Sequence, residues 1–91
     1  YRAAWTLDEF YNGRSSYSEV NKAVSMAKLY AGSMAFDVYR DVMIWHGAYG
    51  YTKECPLERG LRGIMSYIIG AEGSQNVMRI ILARELLGRE F

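Results

Sequence analysis

The sequence predicts an all-α fold, an antiparallel bundle in which one helix is much longer than the others. Apolar residues recur at spacings of three and four along one stretch of roughly 29 residues, the period of a helix with a single apolar stripe. Helix start and stop signals bracket that stretch and the segments around it. A helix of about 43 Å in a chain of 91 residues needs neighbours along its whole length, which favours helices packed antiparallel.

The elements follow in order. Tyr1, Ala4, Trp5, Leu7 and Phe10 mark one face of a helix that ends near Tyr11. Its beginning is expected to lie before Tyr1, in a longer protein. Asn12-Gly13-Arg14 stops it, with Gly13 suited to a left-handed C-terminal position. Ser16 to Glu19 has the capping-box spacing that opens the long helix. Val20, Val24, Ala27, Ala31, Met34, Val38, Val42 and Trp45 form its expected buried stripe, and frequent small residues suit close neighbours. With a preceding helix missing, part of this apolar face is expected to stay uncovered.

Gly47-Ala48-Tyr49-Gly50-Tyr51 reads as a loop. It either turns the chain or brings bare backbone N–H groups to a phosphate. Pro56 suits a first helical position, followed by a short helix over 57–62 weakened by Gly60 and Gly63. Ile64 to Ile69 is extended or helical; periodicity does not choose. A last helix runs from Ser74 to Leu87, with Val77, Ile80, Ile81, Ala83, Leu86 and Leu87 in a broad apolar arc and Gly88 as its stop.

Composition excludes several function classes. The chain is 51% apolar and 23% charged, the balance of a globular domain. A net charge of +1, with scattered arginines, gives no reason to expect nucleic acid. No apolar run approaches the ~18 residues of a membrane span, and no secretory pattern opens the chain. One cysteine, Cys55, excludes an internal disulfide and a cysteine-based zinc site, so no metal is expected. Cys55 and His46 lack a third orienting group for nucleophilic catalysis and read as structural, as do the five methionines.

Gly70-Ala71-Glu72-Gly73-Ser74 places one carboxylate between small residues, after an apolar run and before a helix that Ser74 can cap. Taken alone it is a solvated turn, or a carboxylate held near a helix N-terminus for chemistry.

Four ordered motifs then carry a resemblance: His46-Gly47-Ala48-Tyr49-Gly50-Tyr51-Thr52-Lys53-Glu54, Pro56-Leu57-Glu58-Arg59, Glu72-Gly73-Ser74, and Ile81-Leu82-Ala83-Arg84-Glu85-Leu86-Leu87-Gly88. Together they resemble the end of the acyl-CoA dehydrogenases. That family carries a Gln-x-x-Gly-Gly-x-Gly-Tyr loop, a Pro-Val-Glu-Arg helix start, a Tyr-Glu-Gly-Thr turn and an Ala-Arg-Glu-Leu-Leu-Gly ending.

The resemblance implies that residues 1–91 are a carboxy-terminal four-helix-bundle domain lacking its first helix. It implies an FAD-dependent flavoenzyme of fatty-acid metabolism that removes hydrogens from the α and β carbons of an acyl-CoA thioester. Electrons then pass to an electron-transferring flavoprotein. Glu72 falls on the catalytic base, which must touch a weakly acidic α C–H while the β hydrogen leaves as hydride. Glu72 and Gly73 would contact the thioester, the backbone N–H of Glu72 bonding its carbonyl. Ser74 and Asn76 fall at FAD-binding positions. Gly47, Tyr49 and Gly50 lie where the family reaches the FAD of a neighbouring subunit, which implies a homodimer or homotetramer. The family implies a bacterial or archaeal cytoplasm or the mitochondrial matrix, not secretion, and an inactive isolated domain.

The chain departs from the family pattern at Ile44 (usually Gln), Ala48 (usually Gly), Gly63 (usually Asp) and Ala71 (usually Tyr), and by one extra residue between Pro56 and Glu72. A second reading is a helical assembly or binding module that kept the scaffold without redox chemistry. Ile44 and Ala48 favour it; Glu72, Ser74 and the intact ending oppose it.

Overall fold

Capping chemistry sets the helix boundaries. The computed structural model of the chain describes residues 1–89; residues 90 and 91 of the expected 1–91 domain lie outside the described residues. The described residues form helices and no strand: α1 (Arg2–Tyr11), α2 (Tyr17–Trp45), α3 (Ala48–Tyr51), α4 (Leu57–Ile69) and α5 (Gln75–Leu87). The all-α class read from the sequence is correct. They fall into two compact units, residues 1–29 with the segment from 75 onward, and residues 30–74, and α2 contributes to both.

In the first unit, α1 ends as its sequence dictates. Gly13 takes φ +75°, its N–H donates to the Phe10 carbonyl at 3.0 Å, and the Arg14 N–H donates to the Glu9 carbonyl at 2.8 Å. This pair of bonds is a Schellman motif. The Arg14 guanidinium also grips the Glu9 carboxylate through two 2.7 Å bonds, holding it below the usual carboxylate range. The capping box then forms in both directions: the Ser16 N–H donates to Glu19 Oε2 at 2.8 Å, and the Glu19 N–H donates to Ser16 Oγ at 3.2 Å.

Helix α5 docks on the first turns of α2 through one carboxylate. Glu85, whose side chain is 9% exposed, accepts the Ser18 hydroxyl at 2.5 Å and the Asn21 amide at 3.0 Å. Val20 and Met78 are the buried apolar side chains of this unit among the described residues.

In the second unit, α4 packs antiparallel on α2 at two glycines. A Cβ on Gly32 would stand 3.2 Å from Ile68 Cγ1, and one on Gly60 would stand 2.5 Å from Tyr39 Cε1. The half-buried positions repeat at four, three and four on both helices: Gly32 (buried), Phe36, Tyr39 and Met43 on α2, and Leu57, Leu61, Ile64 and Ile68 on α4. Each half-buried aliphatic contributes roughly 1 kcal/mol, about half the value for full burial.

Three expectations are corrected here. Residues 48–51, read as loop, form the short helix α3. The segments 57–62 and 64–69 form one continuous helix, because glycine at 60 admits the Tyr39 ring instead of breaking the turn. The apolar stripe read along α2 is covered only in part: Val20 is buried and Val42 half-buried, but Val24, Met34, Val38 and Trp45 are 46, 42, 51 and 79% exposed. The face that is covered carries glycine and serine, whose small size permits close approach. On α5, likewise, Met78 is buried while Val77 and Ile80 of the expected arc are exposed.

The Ser18 hydroxyl, the Asn21 amide and, more weakly, the charges of Arg89 and Lys22 hold the Glu85 carboxyl below its ordinary value of 4.5. A depressed folded value stabilises above pH 4.5, and that stabilisation is lost as pH falls through the folded value. Thermal melts followed by circular dichroism from pH 7 downwards should show a falling midpoint below about pH 4.5. Glu85→Gln should lower the midpoint at pH 7 and flatten the acid limb. An acid limb as steep in Glu85→Gln as in the parent chain would remove Glu85 from this account.

Candidate functional site

The turn that joins α4 to α5 holds the carboxylate singled out in the sequence. Helix α4 ends at Ile69, and the Gly70 N–H still makes a regular helical bond to the Ser66 carbonyl at 2.9 Å. A helix of this kind commonly ends with glycine in the left-handed conformation. Here Gly70 takes φ −147° and ψ −128° instead, neither left-handed nor extended. The left-handed conformation falls on the next two residues, Ala71 at φ +54° and Glu72 at φ +65°. They are the non-glycine residues with positive φ among the described residues. Each such residue costs roughly 1–2 kcal/mol, because its Cβ crowds the following carbonyl oxygen.

Glu72 is exposed, and no hydrogen bond or ion pair engages its carboxylate among the described residues. Gly73 and Ser74 are half-buried. Helix α5 begins at the next residue, Gln75, so Ser74 stands directly before its first turn. The N-terminal end of a helix of 13 residues carries partial positive charge. Asn76 lies in that turn, exposed, with its Oδ1 accepting from Arg79 at 3.3 Å. The local chemistry is therefore an unpaired carboxylate on a strained backbone, next to a hydroxyl and a helix end that suits anions.

The other predicted residues stand elsewhere. Gly47 takes φ +62° and ψ −148°, a combination essentially confined to glycine, and a Cβ there would meet nothing within 4 Å. Tyr49 is 52% exposed, and its carbonyl accepts the Thr52 N–H at 3.0 Å and the Thr52 hydroxyl at 2.8 Å. Gly50 is buried, and a Cβ on it would collide with the Met43 carbonyl oxygen. Its size is thus needed to fold α3 back onto the end of α2. Beside this turn a groove of about 270 Å³ is lined by Arg40, Met43, Ile44, Gly47, Tyr51 and Leu61.

Within the second unit, Glu72, Gly73 and Ser74 thus stand together in one turn and Gly47, Tyr49 and Gly50 in another, while Asn76 belongs to the first unit. Helix α4 separates the two turns, and 13 residues span about 20 Å. One small ligand cannot touch both sets on a single chain.

His46 and Cys55 have structural settings. The His46 Nδ1–H donates to the Val42 carbonyl at 2.8 Å, closing the end of α2, and Cys55 is buried with 3% exposure. No cluster of three metal-ligating side chains occurs among the described residues. Sequence reasoning missed the left-handed pair, because Ala71 and Glu72 carry no signal for positive φ while glycines flank them. It also missed Glu85 as the anchor of α5; the available signal was a lone carboxylate among apolar residues in that helix.

Comparison with known proteins adds independent findings. The family described as acyl-CoA dehydrogenase, C-terminal domain, matches over residues 1–87. The chain is similar to the mitochondrial isobutyryl-CoA dehydrogenase of Dictyostelium discoideum, with 46% identity over 63 residues, 69% of this chain and 15% of that protein. It is similar to the 3-(aryl)acrylate reductase of Clostridium sporogenes, 32% identical over 87 residues, 96% of this chain and 21% of that protein. It is also similar to the cyclohexane-1-carbonyl-CoA dehydrogenase of Geobacter metallireducens, 34% identical over 87 residues, with the same 96% and 21% coverage. The chain thus spans about 15–21% of the length of these relatives. No solved structure matches.

Two glycines of the second unit, Gly50 and Gly63, make a direct contrast. Gly50→Ala drives a methyl into a backbone carbonyl and should destabilise by about 1–3 kcal/mol. At Gly63, inside α4, a Cβ meets nothing within 4 Å, so Gly63→Ala should stabilise by about 0.5–1 kcal/mol. Urea unfolding of both variants measures the two shifts, and equal shifts would contradict the packing described at Gly50.

Proposed function

Because the chain belongs to the acyl-CoA dehydrogenase family and forms its C-terminal domain, we propose that it supplies the catalytic base and part of the FAD surroundings of an FAD-dependent acyl-CoA dehydrogenase. The observation that carries this reading is the exposed, unpaired carboxylate of Glu72 on a left-handed backbone between α4 and α5.

The residues present suit the cofactor. Ser74, directly before α5, carries a hydroxyl, and Asn76 carries an exposed amide, both suited to a cofactor that bears a diphosphate. Gly47 leaves open space, and Tyr49 an exposed ring, at the other end of α4. Gly50 serves that end by letting α3 fold back. Separation by about 20 Å fits two different FAD molecules, one beside Glu72 and one belonging to a neighbouring subunit, in a homodimer or homotetramer. FAD, when bound, supplies the acceptor for the β hydrogen and its electron pair.

The chain's own part is acid–base and positional. The Glu72 carboxylate takes the α proton, a transfer that a side chain must make within hydrogen-bond reach. The backbone N–H of Glu72 stabilises negative charge on the thioester carbonyl, and Gly73 leaves room for the thioester to approach. Electrons would leave to an electron-transferring flavoprotein. The relatives' names include dehydrogenases and a reductase. The reading places the protein in fatty-acid or related acyl-CoA metabolism, in a bacterial or archaeal cytoplasm or the mitochondrial matrix. No described helix is long and apolar enough to cross a membrane.

One observation favours a second reading. Ile44, 67% exposed beside Ala48, makes the groove at Gly47 apolar, as suits a helical assembly module without redox chemistry. The upstream gene sequence separates the two readings, since the module requires no flavin-binding domains.

In the full-length protein, Glu72→Gln should retain bound flavin and lose about 100- to 10,000-fold in turnover. Flavin absorbance and steady-state rates with acyl-CoA measure both. Turnover retained at the parent rate would place the base elsewhere.

A further inference from the structure

Left-handed backbone at two consecutive ordinary residues is rare, and each residue of the pair has an easier neighbour. Gly70 could adopt positive φ without steric cost, yet it takes φ −147° and ψ −128°. The reversal at the end of α4 is thus displaced by one residue, onto Ala71 at φ +54°, and continues through Glu72 at φ +65°. If the reversal lay at Gly70, the chain would turn one residue earlier and the Glu72 carboxylate would leave in another direction. Ala71 is exposed, so a larger side chain there meets no wall within this chain. A substitution at 71 therefore acts chiefly through the backbone conformation it permits.

We infer that Ala71 is a positioning residue for Glu72: its left-handed conformation aims the carboxylate. The inference rests on the reading of Glu72 as the base. Alanine is the smallest residue that both tolerates this conformation and lacks the freedom of glycine. Asparagine also tolerates it, whereas a β-branched residue does not. Threonine and asparagine have nearly equal volume and are both polar. Their comparison therefore separates conformation from size.

The test uses the full-length, flavin-loaded enzyme. Ala71→Asn should keep kcat within about threefold of the parent, while Ala71→Thr should lower kcat about 100-fold, the effect of roughly 1 Å of misplacement. KM and flavin content should match in both variants. The kinetic isotope effect with α-deuterated substrate should rise in Ala71→Thr, as proton abstraction becomes slower. If Ala71→Thr does not fold, Ala71→Ser replaces it. Serine is smaller than asparagine but tolerates positive φ less well, so a lower kcat for Ala71→Ser than for Ala71→Asn supports positioning, and the reverse order overturns it. Equal kcat in the Asn and Thr variants overturns it as well. Glu72→Gln in parallel keeps the two claims apart. An inactive Glu72→Gln with equal Ala71 variants removes only the positioning role, whereas an active Glu72→Gln removes both.

Discussion

The close approach of α4 to α2 at Gly32 and Gly60 is the contact on which the second unit depends. Ile68 lies over one glycine and the Tyr39 ring over the other, so a methyl group at position 60 would meet the Tyr39 ring at 2.5 Å. Two contacts along an antiparallel pair fix the register of α4. Its register fixes where the helix ends, and that end sets the position of Ala71 and Glu72. Helix propensity alone disfavours two glycines in 13 residues by roughly 2 kcal/mol. Gly60 is retained because the Tyr39 ring needs its space; nothing in the structure explains Gly63.

The same economy of contact leaves much apolar surface free. Among the described residues the buried apolar side chains are Val20, Cys55 and Met78, while Met34, Val38, Trp45, Val77 and Ile80 are exposed. Surface of this kind is characteristic of a domain that is covered by other parts of its protein or by other subunits. This chain spans about 15–21% of the length of the relatives it matches. Polar contacts carry a correspondingly large share of the specificity within the first unit. The Glu9–Arg14 clamp, the Ser16–Glu19 capping box and the Glu85 bonds to Ser18 and Asn21 define how α1 and α5 meet α2.

The candidate site follows from these constraints. A carboxylate that is to act on a weak carbon acid must be aimed and must not be neutralised by a partner within its own chain. Glu72 meets both conditions: its backbone is held in an uncommon conformation, and its side chain is unpaired among the described residues. The turn at Gly47 meets a different need. There glycine supplies a conformation that other residues avoid, and Gly50 brings α3 against the Met43 carbonyl. The length of α4 keeps the two turns apart.

Helix identity, helix caps and the motifs of the family were legible along the chain because they depend on neighbours within four residues. Ser16 and Glu19 cap each other, Gly13 and Gly88 take positive φ at helix ends, and α2 has its expected length. The choice between faces was not legible. Helix α2 carries more than one apolar stripe, and which stripe is covered depends on where a distant helix finds glycines to approach. Residues 48–51 and 64–69 were settled in the same way, by packing against α2 and by continuation of α4 through Gly60. The carboxylate at 72 was visible as a residue, but its aim was not. Alanine and glutamate have no local preference for positive φ, so that conformation is imposed by the packed helix that ends just before them.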